Sequence, residues 1–147
     1  FNIEDNVKNI IDKERLMGLD KTKTFLNFKQ NIEKSRKDLL DLLLEIKSKG
    51  KKIAGYAATS KSTTILNYCG IDSNLIDYIC DTTPIKQGKF SPGMHIPIVD
   101  RSFFKKHQPD YAFLFAWNHA NEILGKETDF KDLGGKWITH INEVKVI

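Results

Sequence analysis

The segment 51–67, with the sequence KKIAGYAATSKSTTILN, constrains the fold of this chain more than any other segment. It begins with a short apolar stretch that is typical of a strand buried on both faces. Gly55 then allows the chain to turn sharply, while Ala57 and Ala58 keep large side chains out of the turn. The segment therefore predicts a strand, a tight turn and the start of a helix.

Polar residues at the start of this predicted helix favour anion binding. Thr59, Ser60 and Ser62 offer hydroxyl groups there. The first backbone N–H groups of a helix lack internal partners and lie at the positive end of its dipole. A cation is otherwise unfavourable at that position. We therefore interpret Lys61 as a residue that pairs with a phosphate or diphosphate, or else as a solvated lysine.

Two known phosphate-binding motifs fit the turn poorly. A P-loop requires Gly-x-x-x-x-Gly-Lys-Ser/Thr, and Gly55 to Ser62 has this spacing with Ser60 in place of the second glycine. The dinucleotide fingerprint Gly-x-Gly-x-x-Gly is also incomplete, because Ala57 and Ser60 replace its later glycines. An ordinary strand-to-helix turn with a capped helix remains the alternative interpretation.

Length, composition and charge place the chain among globular proteins. Its 147 residues suffice for one domain with a core of its own. Hydrophobic residues make up 40% and charged residues 29%, as in soluble globular proteins. The formal net charge is +4, and the lysines of residues 1–52 are interleaved with acidic residues, as on solvated helix surfaces. We therefore expect no nucleic-acid partner.

Other features bear on localisation and on the extent of the chain. No apolar run approaches the roughly 18 residues that a membrane span requires, and residues 1–5 lack the regions of a signal peptide. Cys69 and Cys80 lie in apolar surroundings, which indicates buried thiols in a reducing compartment. We expect a cytoplasmic protein with no membrane partner. Because the chain begins without Met, we expect it to be a fragment of a longer protein.

Helical and strand patterns alternate along most of the chain. We predict a linker or short helix over residues 1–21 and a long helix over 22–49. Strands are predicted over the start of segment 51–67 and over 75–81, 95–99, 111–117 and 136–141, with residues 144–147 pairing at the end and helices between them. Pro97 places the third of these strands near a sheet edge. This order predicts a Rossmann-like α/β domain over residues 22–147, with a mostly parallel sheet and helices on both faces.

In such a sheet, ligands bind at the carboxyl ends of the strands. Three loops leave those ends, at residues 56–61, 81–93 and 117–118. Asp81 is predicted to bind a ribose or to cap its loop. Trp117 is predicted to stack on a base or sugar, with Asn118 as a hydrogen-bonding neighbour, although a buried Trp followed by a helix-capping Asn gives the same pattern. The four histidines fit no metal-ligand spacing, so we predict no metal site.

Several segments, in order and at the right intervals, resemble the C-terminal domain of S-adenosylmethionine-dependent sugar C-methyltransferases. The similarity runs from about residue 22 to the end of the chain. It is carried by Gly55–Lys61, Leu66–Ile71, Asp81–Lys89, Pro92–Ile98, Pro109–Tyr111, Ala116–Asn118 and Gly134–Ile138. The chain departs from the family at Ala57 and Ser62, where glycine is common, and at Thr82-Thr83, where Arg-Asn is common.

The resemblance implies a Rossmann-like domain that helps to anchor a nucleotide-linked deoxysugar. It also implies that a zinc-binding segment, the S-adenosylmethionine site and the catalytic base lie upstream, so that this chain carries no catalytic residue, cofactor or metal of its own. The partners implied are the sugar nucleotide and the upstream domains of the same chain. The predicted substrate-binding residues are Gly55, Ala57, Ala58, Thr59, Ser60, Lys61, Asn67, Asp81, Lys86, Gln87, Gly88, His95, Trp117 and Asn118.

Two other functions remain open from the residues alone. The same turn suits a stand-alone nucleotide-dependent enzyme, such as an oxidoreductase. A structural or interaction module, in which the long helix packs on a partner, also fits the pattern.

Overall fold

The computed structural model describes residues 4–147 and divides them into two compact units. The first unit ends at Arg36, and the second runs from Lys37 to Ile147. Residues 1–3, at the start of the predicted linker, lie outside the described residues. The domain boundary that the sequence places at residue 22 remains a prediction.

The elements follow the predicted alternation. The helices are α1 (Asp5–Leu16), α2 (Thr22–Ser48), α3 (Ser60–Cys69), α4 (Arg101–Lys106), α5 (Ala120–Lys126) and α6 (Thr128–Asp132). Short 3-10 helices span Pro84–Lys86 and Trp117–His119. The strands are β1 (Ile53–Tyr56), β2 (Ile79–Cys80), β3 (Ile98–Val99), β4 (Tyr111–Leu114), β5 (Lys136–Thr139) and β6 (Lys145–Val146).

The first unit consists of α1 and the first part of α2. Gly18 ends α1 with a left-handed backbone (φ 71°), and its N–H donates to the carbonyl of Arg15 at 2.9 Å. The apolar side chains of this unit are exposed, including the helical stripe of Phe25, Phe28 and Ile32. The sequence pattern predicts core or interdomain packing for that stripe, and this remains a prediction.

The second unit is built on one six-stranded sheet with the order β3-β2-β1-β4-β5-β6. The pairs from β3 to β5 are parallel, and β6 pairs antiparallel with β5. This is the mostly parallel α/β architecture that the sequence predicts. The order reverses between β1 and β4, because the chain first builds β2 and β3 on one side of β1 and then crosses to the other.

Helices cover both faces of the sheet, because successive strand residues point to opposite sides. One face packs on the second part of α2, through Leu39, Leu43 and Ile46, and on α3. The other face packs on Phe104 of α4 and Phe130 of α6. β1 is buried along its whole length, as expected for a central parallel strand.

The strands β2, β3, β4 and β5 are shorter than predicted, and local turns delay the start of the first two. The side chain of Asp72 accepts a hydrogen bond from the Asn74 N–H at 2.9 Å, and this turn delays β2 until Ile79. His95 has a left-handed backbone (φ 52°), so β3 begins only at Ile98. β4 ends at Leu114, and the helix α6 is not predicted by the sequence pattern.

The edge strand β3 is shielded by the loop that precedes it. The Gly88 N–H donates to the carbonyl of Ile98 at 2.9 Å, and the Ile98 N–H donates to the carbonyl of Lys89 at 2.8 Å. The edge position predicted from Pro97 is confirmed. The loop between β2 and β3 therefore packs beside the carboxyl ends of the strands.

Candidate functional site

The carboxyl ends of β1, β2 and β4 meet at one rim of the sheet, as parallel strands must. The strand order reverses between the neighbouring strands β1 and β4. In open α/β sheets, ligands bind in the crevice at this point. The loops after these three strands are those that the sequence predicts to surround a ligand.

The turn after β1 is made by Ala57 rather than by Gly55. Ala57 has a left-handed backbone (φ 73°), which is unfavourable for a residue with a Cβ atom. Gly55 lies inside β1, where an added Cβ atom would be 2.5 Å from the ring of Phe115 and 3.0 Å from Ile79. Gly55 is therefore required for close packing within the sheet, and the assignment of the sharp turn to it is wrong.

The start of α3 is held by a reciprocal capping box. The Ser62 N–H donates to the Thr59 hydroxyl at 3.2 Å, and the Thr59 N–H donates to the Ser62 hydroxyl at 3.0 Å. These bonds use two of the polar groups at the helix start. Ser60 is the first residue of the helix and is exposed at the rim.

Lys61 and Trp117 lie close together at the point where the strand order reverses between β1 and β4. The Lys61 ammonium lies 5.9 Å from the centroid of the Trp117 ring, which is within the range of a cation–π contact. The Trp117 side chain is 42% exposed, so it is not the buried tryptophan of the alternative interpretation. Among the described residues, no carboxylate lies within ion-pair distance of Lys61. The rim therefore presents a cation without an acidic partner beside an exposed indole.

Asp81 connects the end of β2 to the turn after β1. Its carboxylate accepts hydrogen bonds from the N–H of Ala58 at 2.7 Å, the N–H of Thr83 at 2.8 Å and the ammonium of Lys86 at 3.0 Å. Burial by itself raises the pKa of Asp81, but the hydrogen bonds from Thr83 and Lys86 and the charge of Lys86 outweigh it, so the pKa is lowered. Asp81 is therefore ionised at neutral pH.

The other predicted site residues divide into two groups. Gln87 joins the Asp81 loop, because its side-chain amide donates to the carbonyl of Asp81 at 2.9 Å. Asn67 ties α3 to the same loop by donating to the carbonyl of Pro92 at 3.0 Å. His95 and Asn118 make no side-chain hydrogen bond to these residues in the described part of the chain, and Gly88 has no side chain to do so; all three are exposed.

The sequence analysis does not predict the buried polar cluster that Glu127 forms with Tyr56 and Arg101 beside β1. The Glu127 carboxylate accepts hydrogen bonds from the Tyr56 hydroxyl at 2.7 Å and from Nε of Arg101 at 2.5 Å. Burial and the hydrogen bond to Glu127 raise the pKa of Tyr56. These residues lie 71 and 26 positions from Glu127 in the sequence, so no local pattern indicates their contact. The Cys80 thiol lies in the same core cluster, and burial raises its pKa to about 12.

Comparison with known proteins decides which family this fold and rim represent. A family model described as "C-methyltransferase C-terminal domain" matches residues 2–142. The chain belongs to this family. The chain is also 37% identical over 141 residues to the C-methyltransferase NovU of Streptomyces niveus. That alignment covers 96% of this chain and 34% of NovU, so the chain spans about a third of the length of this relative.

The C-methyltransferase C-terminal domain carries no arrangement that would hold a metal among residues 4–147, where no three His, Cys, Asp or Glu side chains cluster suitably. No helix in the same range is long and apolar enough to cross a membrane. Both cysteines are buried free thiols, as predicted.

Proposed function

We propose that this domain anchors a nucleotide-linked sugar for an S-adenosylmethionine-dependent sugar C-methyltransferase. The methyl-donor site and the catalytic base belong, in this proposal, to other parts of a longer protein. NovU is a C-methyltransferase by name and is about three times as long as the matched region. The substrate in this proposal is a nucleotide-linked deoxysugar. The two free thiols fit a protein of a reducing compartment such as the cytoplasm.

The contact between Lys61 and Trp117 across the strand-order reversal carries this proposal. A nucleoside diphosphate sugar has an anionic diphosphate that joins a nucleoside, with its flat base, to a sugar ring. The Lys61 ammonium supplies the charge for the diphosphate at the start of α3, where backbone N–H groups also point outward. The exposed Trp117 ring supplies a surface on which a base or sugar can stack. Both halves of the ligand are therefore met by side chains from two loops.

The remaining predicted residues complete the rim around this pair. Thr59 and Ser60 lie at the start of α3, and Gln87 and Gly88 lie in the loop from β2. His95, in the loop before β3, and Asn118, in the 3-10 helix after β4, are both exposed. Because Lys86 is already paired with Asp81, Lys61 supplies the positive charge that the diphosphate would neutralise.

Tryptophan fluorescence provides a direct test, because the two tryptophans differ in environment. Trp117 is exposed, whereas Trp137 is buried in the core and 2% exposed. We expect thymidine diphosphate to quench the emission of the 147-residue chain, and the Trp117→Phe variant to lose this response. Isothermal titration calorimetry should show that Lys61→Ala weakens binding about tenfold, which corresponds to about 1.4 kcal/mol.

Lys131→Ala is the matched control, since Lys131 is an exposed lysine in the last turn of α6. Its affinity for thymidine diphosphate should equal that of the parent chain. A folded chain that gives neither quenching nor heat with thymidine diphosphate would refute the proposal. Binding or turnover of NAD(P)H by the chain would instead favour the oxidoreductase-like alternative. In a longer enzyme, an unchanged substrate KM after combined Lys61→Ala and Asp81→Ala substitution would favour a structural module.

A further inference from the structure

We propose that Asp81 and Lys86 act as positioning residues, which hold the left-handed turn after β1 and thereby fix the start of α3 for the ligand. This inference rests on the proposed function for the ligand, but the turn itself can be examined without it. It assigns the two residues a role through the backbone of Ala58 in place of direct contact with the sugar nucleotide.

The turn needs support from outside its own backbone. A left-handed conformation is unfavourable for an L-residue, because its Cβ atom comes too close to the following carbonyl oxygen. Ala57 has no polar side chain with which to stabilise it. Its N–H donates to the carbonyl of Cys80 at 2.7 Å, which fixes only the side of the turn nearest β2. The residue after it must be held as well if the chain is to enter α3 in one direction.

One ion pair binds both backbone polar groups of Ala58. The Ala58 N–H donates to Oδ2 of Asp81 at 2.7 Å, and the Ala58 carbonyl accepts from the Lys86 ammonium at 2.7 Å. The same ammonium lies 3.0 Å from Oδ2 of Asp81, which closes the arrangement. Ala58 directly precedes Thr59, the N-cap of α3. The pair therefore sets the backbone from which the helix starts.

Both members of the pair are committed to these contacts. Asp81 is 4% exposed, and its second oxygen accepts the N–H of Thr83 at 2.8 Å. A carboxylate has about four acceptor positions, and three donors already bind the carboxylate of Asp81. Lys86 has three N–H donors, of which two are used. Little hydrogen-bonding capacity remains for a ligand.

The pairing also suits an anion-binding rim. An unpaired carboxylate beside the start of α3 would repel a diphosphate, and the Lys86 charge removes that repulsion. Lys61 then remains as the cation that faces the ligand. The lowered pKa of Asp81 agrees with a carboxylate that stays charged and paired at neutral pH.

Two measurements on the 147-residue chain test the inference together. Hydrogen exchange by NMR reports on the Ala58 N–H without any ligand, and calorimetry with thymidine diphosphate reports on the rim. We expect Asp81→Asn and Lys86→Met each to accelerate exchange at Ala58 about tenfold and to weaken binding about tenfold. Their double variant should be little worse than either alone, because both remove the same arrangement.

Two further variants serve as controls. Lys86→Arg keeps a cation that can reach the Ala58 carbonyl. This variant should therefore bind thymidine diphosphate more tightly than Lys86→Met. Lys89→Met removes an exposed lysine from the same loop and should change neither measurement.

The possible failures are distinguishable. Weaker binding with unchanged exchange at Ala58 would overturn the inference and show that Asp81 and Lys86 contact the ligand. Exchange and binding that both remain unchanged would also overturn it. If the parent chain binds no thymidine diphosphate while Asp81→Asn still accelerates exchange, the proposed function fails and the hold on the turn is supported.

Discussion

Asp81 and Glu127 are both buried carboxylates beside the turn that follows β1. Asp81 is 4% exposed and binds the backbone of Ala58, the residue after the left-handed Ala57. Glu127 is 2% exposed and binds the hydroxyl of Tyr56, the residue before Ala57. The two carboxylates therefore hold the chain on either side of the same turn.

Their partners distinguish the two carboxylates. Those of Asp81 lie at the rim of the sheet and include two backbone N–H groups. Those of Glu127 are side chains from β1 and from α4, which approach over one face of the sheet. Removing Asp81 should change local geometry at the rim, whereas removing Glu127 should disturb the packing of several elements. Burial and charge alone do not separate these roles, but the bonded groups do.

Glu127→Ala should have the largest effect on stability. It leaves the buried hydroxyl of Tyr56 without an acceptor and removes the partner of Arg101. We expect the free energy of unfolding, measured by urea denaturation, to fall by about 2–3 kcal/mol. Adding Tyr56→Phe should cost little more, since the unpaired hydroxyl is then absent. A loss below about 0.5 kcal/mol would contradict the structural role given to Glu127.

Asp81→Asn should lower the free energy of unfolding by less, about 1 kcal/mol at pH 7, because the single amide oxygen can still accept from one of the two backbone N–H groups. The pKa of Asp81 is lower in the folded chain than its usual value of about 3.9, so the unfolded state binds more protons in acid. This contribution is complete above about pH 4 and is lost as the pH falls through the folded pKa. The stability difference between the two proteins should therefore shrink as the pH falls below about 4, and a constant difference would contradict this explanation.

His140 offers a contrast, because it is a half-buried ionisable side chain without a charged partner. Its Nδ1 atom is buried and has no hydrogen-bond partner among the described residues, and its ring packs edge-on against Phe113. Burial lowers the pKa of His140, so the unfolded state binds the proton more readily. The contribution of neutral His140 to the free energy of unfolding is thus fully present above about pH 6.5 and is lost as the pH falls below that value.

The His140 effect can be measured as a slope. Urea denaturation between pH 7.5 and pH 5.5 should show a loss of at most about 1.4 kcal/mol per pH unit in the parent chain. His140→Leu should reduce that slope. Equal slopes in the two proteins would show that other groups are responsible.

Features that depend on local residue patterns are predicted from the sequence, whereas contacts between distant residues are not. Apolar periodicity locates β1, β4 and the long helix α2, because burial on a sheet or against a core imposes that periodicity. The rim loops follow from the rule that parallel strands end at one side. Glu127 escapes prediction because its partners come together only in the folded sheet.

The details of the rim escape prediction for a related reason. Asp81 is recognisable in the sequence as a strand-ending acid, but its bond to Ala58 depends on the pairing of β1 with β2. The residue type of Ala57 gives no signal for a left-handed backbone, since glycine is the residue usually associated with that conformation. The glycine that is common in the family at this position is the available hint. The sharp turn is therefore expected at Gly55 and occurs at Ala57.

Ala57→Gly gives the smallest expected effect, and it is stabilising. Glycine adopts a left-handed backbone without the clash of a Cβ atom, and this relief outweighs the added entropy of the unfolded chain. We expect a gain of about 0.5 kcal/mol in the free energy of unfolding. Ala58→Gly is the matched control, because Ala58 does not have a positive φ and should lose roughly 0.5–1 kcal/mol. If both substitutions destabilise equally, the strain at Ala57 is not what Asp81 and Glu127 hold in place.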